Sequence, residues 1–138
     1  MTKKIIFATL AVFLAWGILD FFIHNMMLGK AYQATAMLWR PMQEMKMGLM
    51  YLVTLLSALV FVTIYARLVY PKNIARGLGF GLLFGVGTGI SMGYGTYSVQ
   101  PIPYFMALAW FLGTTIEATV AGLITGLIVT EEPEKATE

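Results

Sequence analysis

Four long apolar blocks separated by short polar stretches dominate the chain, at about 5–23, 48–69, 77–97 and 104–129. Each comes close to the roughly 20 residues that carry an α-helix across a hydrocarbon core of about 30 Å. Lipid offers the backbone no hydrogen-bond partners, so apolar runs of this length cross it as helices that satisfy their own N–H and C=O groups. The pattern predicts an all-α fold, a transmembrane four-helix bundle forming a single integral membrane domain over 1–138. The first block ends in the polar cluster Asp20, His24 and Asn25, and residues 24–47 form the expected outer loop. Pro41 suits a first helical position and Glu44 falls in the first turn, so the second helix is expected to start as early as Pro41. From Pro41 to Tyr70 such a helix would run about 45 Å at about 1.5 Å per residue. The link Ser98 to Pro103 makes the last two spans an antiparallel hairpin, and the acidic tail 130–138 reads as a solvated end.

Composition agrees with the pattern. Hydrophobic residues make up 59% of the chain and charged residues 12%, more apolar surface than a soluble fold of 138 residues can hide. The bilayer is therefore the first expected partner. A formal net charge of +2, spread thinly, supports no nucleic-acid footprint. The absence of cysteine removes disulfides, thiolate nucleophiles and Cys-type metal sites. Met1 to Lys4 before an apolar run resembles a secretory signal, but the small-residue site Ala34-Thr35-Ala36 lies too far along, so a retained first span is expected.

Basic residues set the orientation, because cytoplasmic loops carry the excess of Lys and Arg. Lys3, Lys4, Arg67, Lys72, Arg76 and Lys135 fall on one side, and Lys30, Arg40 and Lys46 on the other. Both termini are expected in the cytoplasm, with the protein multi-pass in a cell membrane of the bacterial inner-membrane type. Tyr32, Trp39, Tyr51, Tyr94, Tyr97 and Tyr104 then gather at the outer boundary as an interfacial belt.

The strongest local pattern is in the third block, where Gly77, Gly81, Gly85, Gly89 and Gly93 recur every four residues. Such a ladder lets a neighbouring backbone approach closely, which is how helices associate where lipid supplies no hydrophobic drive. A complementary strip of Thr114, Ala118, Gly122 and Gly126 runs down the fourth block. The two are expected to pack on each other, the alternative being that one strip meets another chain. Gly79, Gly87 and Gly95 form a second ladder with a period of eight.

Three constellations could carry chemistry. Glu117 lies near mid-depth of the fourth block, where an ionisable side chain costs about 3 kcal/mol on insertion scales and marks either a functional site or a structural hydrogen-bond anchor. Thr88 and Ser57 fall at similar depth and are its candidate partners. Asp20 and His24, spaced i, i+4 on one face, suit proton shuttling, ligand binding or a simple interfacial cap. Tyr32 joins them as a candidate at the outer mouth. Finally, Met42, Met45 and Met50 share a broad face if the second helix starts early, and thioethers with His24 suit copper. Flexible packing is the commoner use of methionine. Copper is therefore a lesser alternative, and no cofactor is otherwise expected.

No phosphate loop, HExxH or paired-histidine motif is present, so an enzyme has no support. The stretches Leu19-Asp20-Phe21-Phe22-Ile23-His24, Leu28-Gly29, Tyr32, Leu38-Trp39-Arg40-Pro41, Tyr94-Gly95-Thr96-Tyr97 and Pro101-Ile102-Pro103-Tyr104, with Trp110 and Glu117, resemble a pattern in small bacterial four-helix integral membrane proteins without established activity. That resemblance implies the fold and transfers no function. Three expectations follow from the residues. The first is a structural or accessory component of an oligomer or larger membrane complex, packed through glycine-rich helices. The second is a small transporter or proton-linked conduit using Glu117, Asp20 and His24. The third is an outer-face copper or quinone-type ligand site.

Overall fold

The computed structural model describes residues 1–131, so most of the acidic tail lies outside the described residues. Every regular element among them is helical. In chain order these are α1 (Thr2–Asp20), α2 (Gly29–Ala34), α3 (Met47–Leu68), α4 (Ile74–Ile90), α5 (Thr96–Val99) and α6 (Tyr104–Ile128). Two stretches of wider π-helix continue α1 over Phe21–Met27 and join α4 to α5 over Ser91–Gly95. Counting those continuations, Thr2–Met27, Met47–Leu68, Ile74–Val99 and Tyr104–Ile128 are long and apolar enough to cross a membrane. The fold therefore defines a multi-pass helical membrane protein.

Helix boundaries differ from the sequence expectation in three spans, the first of which starts at Thr2 and continues, through the π stretch, to Met27 where 5–23 was expected. The second span does not begin at Pro41: Met42–Glu44 make one 3₁₀ turn, Met45 is extended, and α3 starts at Met47. Leu38 and Trp39 are packed against α6, and this anchors the chain just before it re-enters the apolar layer. The third span begins three residues early, at Ile74, because the Asn73 side chain accepts a hydrogen bond from Arg76 N (2.9 Å) as an N-cap.

Packing is closest between α4 and α6. A Cβ added at Gly81 would collide with the Ala118 carbonyl, and one at Gly77 with that of Gly122. At Gly85 and Gly89 it would stand 2.8 Å from Thr115 Cα and from Phe111 O. The two backbones thus touch along most of α4, where only hydrogen at Cα fits. Gly79 and Gly87, by contrast, meet nothing within 4 Å, and the period-eight ladder points away from this contact.

The remaining contacts fall into two clusters. At the end that holds the N-terminus, Ala8 and Val12 of α1 pack with Ala58, Phe61, Val62 and Tyr65 of α3 and with Ala118 and Ala121 of α6. Phe80 and Phe84 of α4 close this layer against Phe61. Lys4 Nζ donates to Thr130 O (3.2 Å), joining the start of α1 to the end of α6, while Lys72 N donates to Glu131 Oε1 (3.0 Å) and Tyr65 donates to Asn73 O (2.9 Å), tying the α3–α4 connector to the end of α6 and to α3. At the opposite end, Leu28, Tyr32, Leu38 and Trp39 of the long loop pack on Ile102, Met106 and Trp110. Between Met47 and Ser57 α3 is exposed except for half-buried Thr54 and Leu55, so that helix packs only loosely as it approaches the loop end.

Candidate functional site

The polar residues of α1 and α6 meet between the two clusters. On α1 and its π continuation, Trp16, Asp20 and His24 follow one another at intervals of four residues and share a face. On α6, Trp110, Thr114 and Glu117 form the matching stripe. Gly113 makes the approach possible, since a Cβ there would stand 3.0 Å from Ile23 Cδ1. Trp16 Nε1 donates to the backbone carbonyl of Glu117 (2.8 Å), which locks the two helices in register at this level.

Above that bond runs a series of titratable side chains. The Asp20 carboxyl lies within hydrogen-bonding reach of Glu117. His24 Nε2 is 3.5 Å from Asp20 Oδ1, and His24 Nδ1 is 2.7 Å from the Tyr32 hydroxyl. Trp110 Nε1 donates to the same hydroxyl oxygen (2.9 Å). Burial lifts the Tyr32 phenol above its ordinary range, an effect partly offset by the Trp110 N–H, so Tyr32 keeps its proton at neutral pH. With its oxygen accepting from Trp110, the Tyr32 hydroxyl can give its own hydrogen to His24 Nδ1 in the imidazole tautomer that carries hydrogen on Nε2, the nitrogen nearer Asp20.

A cavity of about 30 Å³ opens beside this series, lined by Ile23, His24, Met92, Trp110, Gly113, Thr114 and Glu117. At about 10–15 Å³ per water it holds about two. Glu117 Oε1 is buried there with no hydrogen-bond partner among the described residues. Both π-helical stretches border the cavity, one through Ile23 and His24 and the other through Met92. A π turn admits an extra residue and so re-aims the side chains that follow, which is why such turns recur at functional sites.

The loop covers the site from its own end. Trp39 Nε1 donates to Thr35 Oγ1 (2.9 Å), and Thr35 Oγ1 donates back to Ala31 O (2.8 Å). The rings of Tyr32, Trp39 and Trp110 meet edge to face in sequence, with centroids 5.4 and 6.0 Å apart.

Glu117, Asp20, His24 and Tyr32 are thus brought together. The other candidates are not. Thr88 is exposed and spends its hydroxyl on Phe84 O of its own helix (2.7 Å), and Ser57 is exposed on α3; neither lines the cavity. Equal depth along a helix says nothing of direction, and the way they project takes them elsewhere. Met42, Met45 and Met50 do not share a helix face, because the chain between them is broken before Met47, and all three are exposed. Among the described residues no three His, Asp or Glu side chains cluster closely enough to hold a metal ion.

Sequence reading overlooked Trp16 and Met92 at the site, and it noted Trp110 and Thr114 near Glu117 without giving either a role there. Three of them carried a readable signal, namely the four-residue spacing of Trp16 to Asp20 and His24, and that of Trp110 to Thr114 on the helix bearing Glu117. Met92 carried none, since only the packing of the fourth span on the third brings it near. Comparison with family models, curated proteins and solved structures finds no match to this chain. The functional reading therefore rests on these residues alone.

Proposed function

We propose that this protein is a small transporter or proton-linked conduit, a four-helix bundle with both termini cytoplasmic, in which Glu117 exchanges protons with the outer face through Asp20, His24 and Tyr32. The observation that carries this reading is the unbroken contact series from Glu117 at mid-span to Tyr32 in the loop. Two carboxyl groups in contact repel one another when both are charged, so the pair is suited to holding a proton between them. As half-buried Tyr32 takes a proton from water at the loop end, it passes its own to Nδ1 of the neutral imidazole, which releases the Nε2 proton to Asp20 and then resets by exchanging tautomers, leaving Tyr32 protonated throughout. The cavity beside Glu117 supplies water for the step past the carboxyl pair.

Proton flux into liposomes, read with an internal pH dye, tests this. Glu117→Gln keeps size and hydrogen bonding but binds no proton, and flux should fall by on the order of 100-fold, the low end for loss of a positioned proton-transfer group. Equal flux in the two proteins would overturn the reading. A second reading, a structural or accessory component of an oligomer or larger membrane complex, is supported by Gly79 and Gly87, whose Cα positions face open space.

A further inference from the structure

We infer that the site takes a membrane-dissolved primary amine, its ammonium group seated between Asp20 and Glu117 and its alkyl chain leaving sideways along α3. The inference rests on the proposed role of the carboxyl pair and names its substrate class.

Charge is the first ground. Neither Lys nor Arg lines the cavity, and its one basic side chain is the imidazole of His24. Glu117 lines the cavity and Asp20 stands next to it outside the lining, so the pair, with no Lys or Arg beside it, is a site that a cation neutralises. Hydrogen bonding is the second. Glu117 Oε1 is a buried acceptor with no donor, while Thr114 presents a hydroxyl to the same space. An ammonium brings three donors, enough for Glu117, Asp20 and Thr114 together. Size is the third. A cavity of about 30 Å³ admits a group no larger than about two waters, which fits –NH₃⁺ and excludes the body of a bulky ion. Trp110 adds an indole wall to the cavity, and aromatic faces attract cations.

Access is the fourth ground, and it selects an amphiphile over a free aqueous amine. α1 and α3 hold together through Ala8, Val12, Ala58 and Val62, and the last ring contact before the loop end is Trp16 on Phe61 (5.8 Å). Past Ala58, one turn beyond that level, α3 has no fully buried residue, and Asp20 and His24 keep 42% and 38% of their side-chain surface. That surface belongs to the apolar span Thr2–Met27, and the loop-end stretch of α3 leaves Leu52, Val53 and Leu56 exposed as well. From the loop end, by contrast, Tyr32, Trp39 and Trp110 close the way. A ligand that enters from the side carries its own apolar tail.

All three tryptophans of the chain surround the site, so intrinsic fluorescence reports on it directly. The full-length protein in nanodiscs of zwitterionic lipid is titrated with octylammonium, with octanol and octanoate as chain-matched controls. Octylammonium should change the emission saturably where the two controls do not. Glu117→Gln should weaken its apparent affinity at least about tenfold, as removal of one partner of a close charge pair does. An equal response to octanol, or no saturable response to octylammonium, overturns the inference without relying on any variant. Undiminished binding in both Glu117→Gln and Asp20→Asn overturns the assigned position. Proton flux without amine binding would sink this inference and leave the conduit standing; amine binding without proton flux would do the reverse.

Discussion

Tyr32 holds the loop end of the polar series together. Its hydroxyl joins His24 to Trp110, and its ring carries Trp39. Tyr32→Phe removes the hydroxyl and keeps the ring. At about 1 kcal/mol per net hydrogen bond the fold should survive, while proton flux falls because His24 loses the partner that feeds Nδ1. The same variant isolates one titration. Burial raises the Tyr32 pKa, so in the difference between native and Tyr32→Phe absorbance the phenolate should emerge above the ordinary value of about 10. The phenol thus stays a hydrogen-bond donor throughout the physiological range. A phenolate signal at or below about 10 would contradict that placement. Much of this site was legible one residue at a time. A carboxyl at mid-span and an Asp–His pair at i, i+4 identify themselves, since charge in an apolar run is costly and helical spacing is regular. That Glu117 meets Asp20 and not Thr88 was not legible, because equal depth leaves the rotation of each helix open.

The glycine spacing separates two faces of one helix. Gly81 sits against the Ala118 carbonyl, while Gly79 faces open space, yet both carry the same side chain two residues apart. Gly81→Ala should therefore cost about 1–3 kcal/mol through overpacking. Gly79→Ala should be neutral or gain up to about 1 kcal/mol in helix propensity. Denaturant unfolding in detergent micelles compares them, and equal losses would mean that both faces are packed. Bulkier Gly79→Leu and Gly87→Leu, followed by particle mass, ask whether a second chain uses the open face. A drop to the monomer mass supports the oligomeric reading, and an unchanged mass counts against it. The expectation that the third and fourth spans share one strip came from period alone; Ala118, Gly122 and Gly126 do meet the glycines of α4, but Thr115 and Phe111 stand where Thr114 was expected, and Thr114 turns to the cavity. The wider π turns at Phe21–Met27 and Ser91–Gly95 carried no such signal. No residue type encodes them, and they mark where α1 and α4 adjust to what packs on them.

At the scale of the whole molecule, the chain has a tight end and a loose one. Around the N-terminus, α1, α3 and α6 share a core, Phe80 and Phe84 of α4 close it, and the connector is tied down. Towards the loop, α3 packs only loosely and the long loop takes over the packing. The excess of basic residues at the tight end is the ground on which that end is proposed to face the cytoplasm. With no native cysteine, orientation is directly testable in intact cells. Lys46→Cys should react with a membrane-impermeant maleimide, and Thr2→Cys should react only after the membrane is opened. The opposite pattern would invert the topology.

The division between what sequence and structure each decide follows from the range of the forces involved. Number, length and helical nature of the spans follow from the sequence by itself, because they depend on how each segment partitions into lipid and satisfies its own backbone. So do the presence of Glu117, Asp20 and His24 in apolar surroundings, and the ladder that brings two helices together. The rotation of α1 against α6, the end of the loop short of α3, the side opening and the partners of Glu117 were decided only in the tertiary structure. Each depends on contacts between segments up to about a hundred residues apart, of which the bond from Trp16 to the Glu117 carbonyl, 101 residues on, is the plainest example.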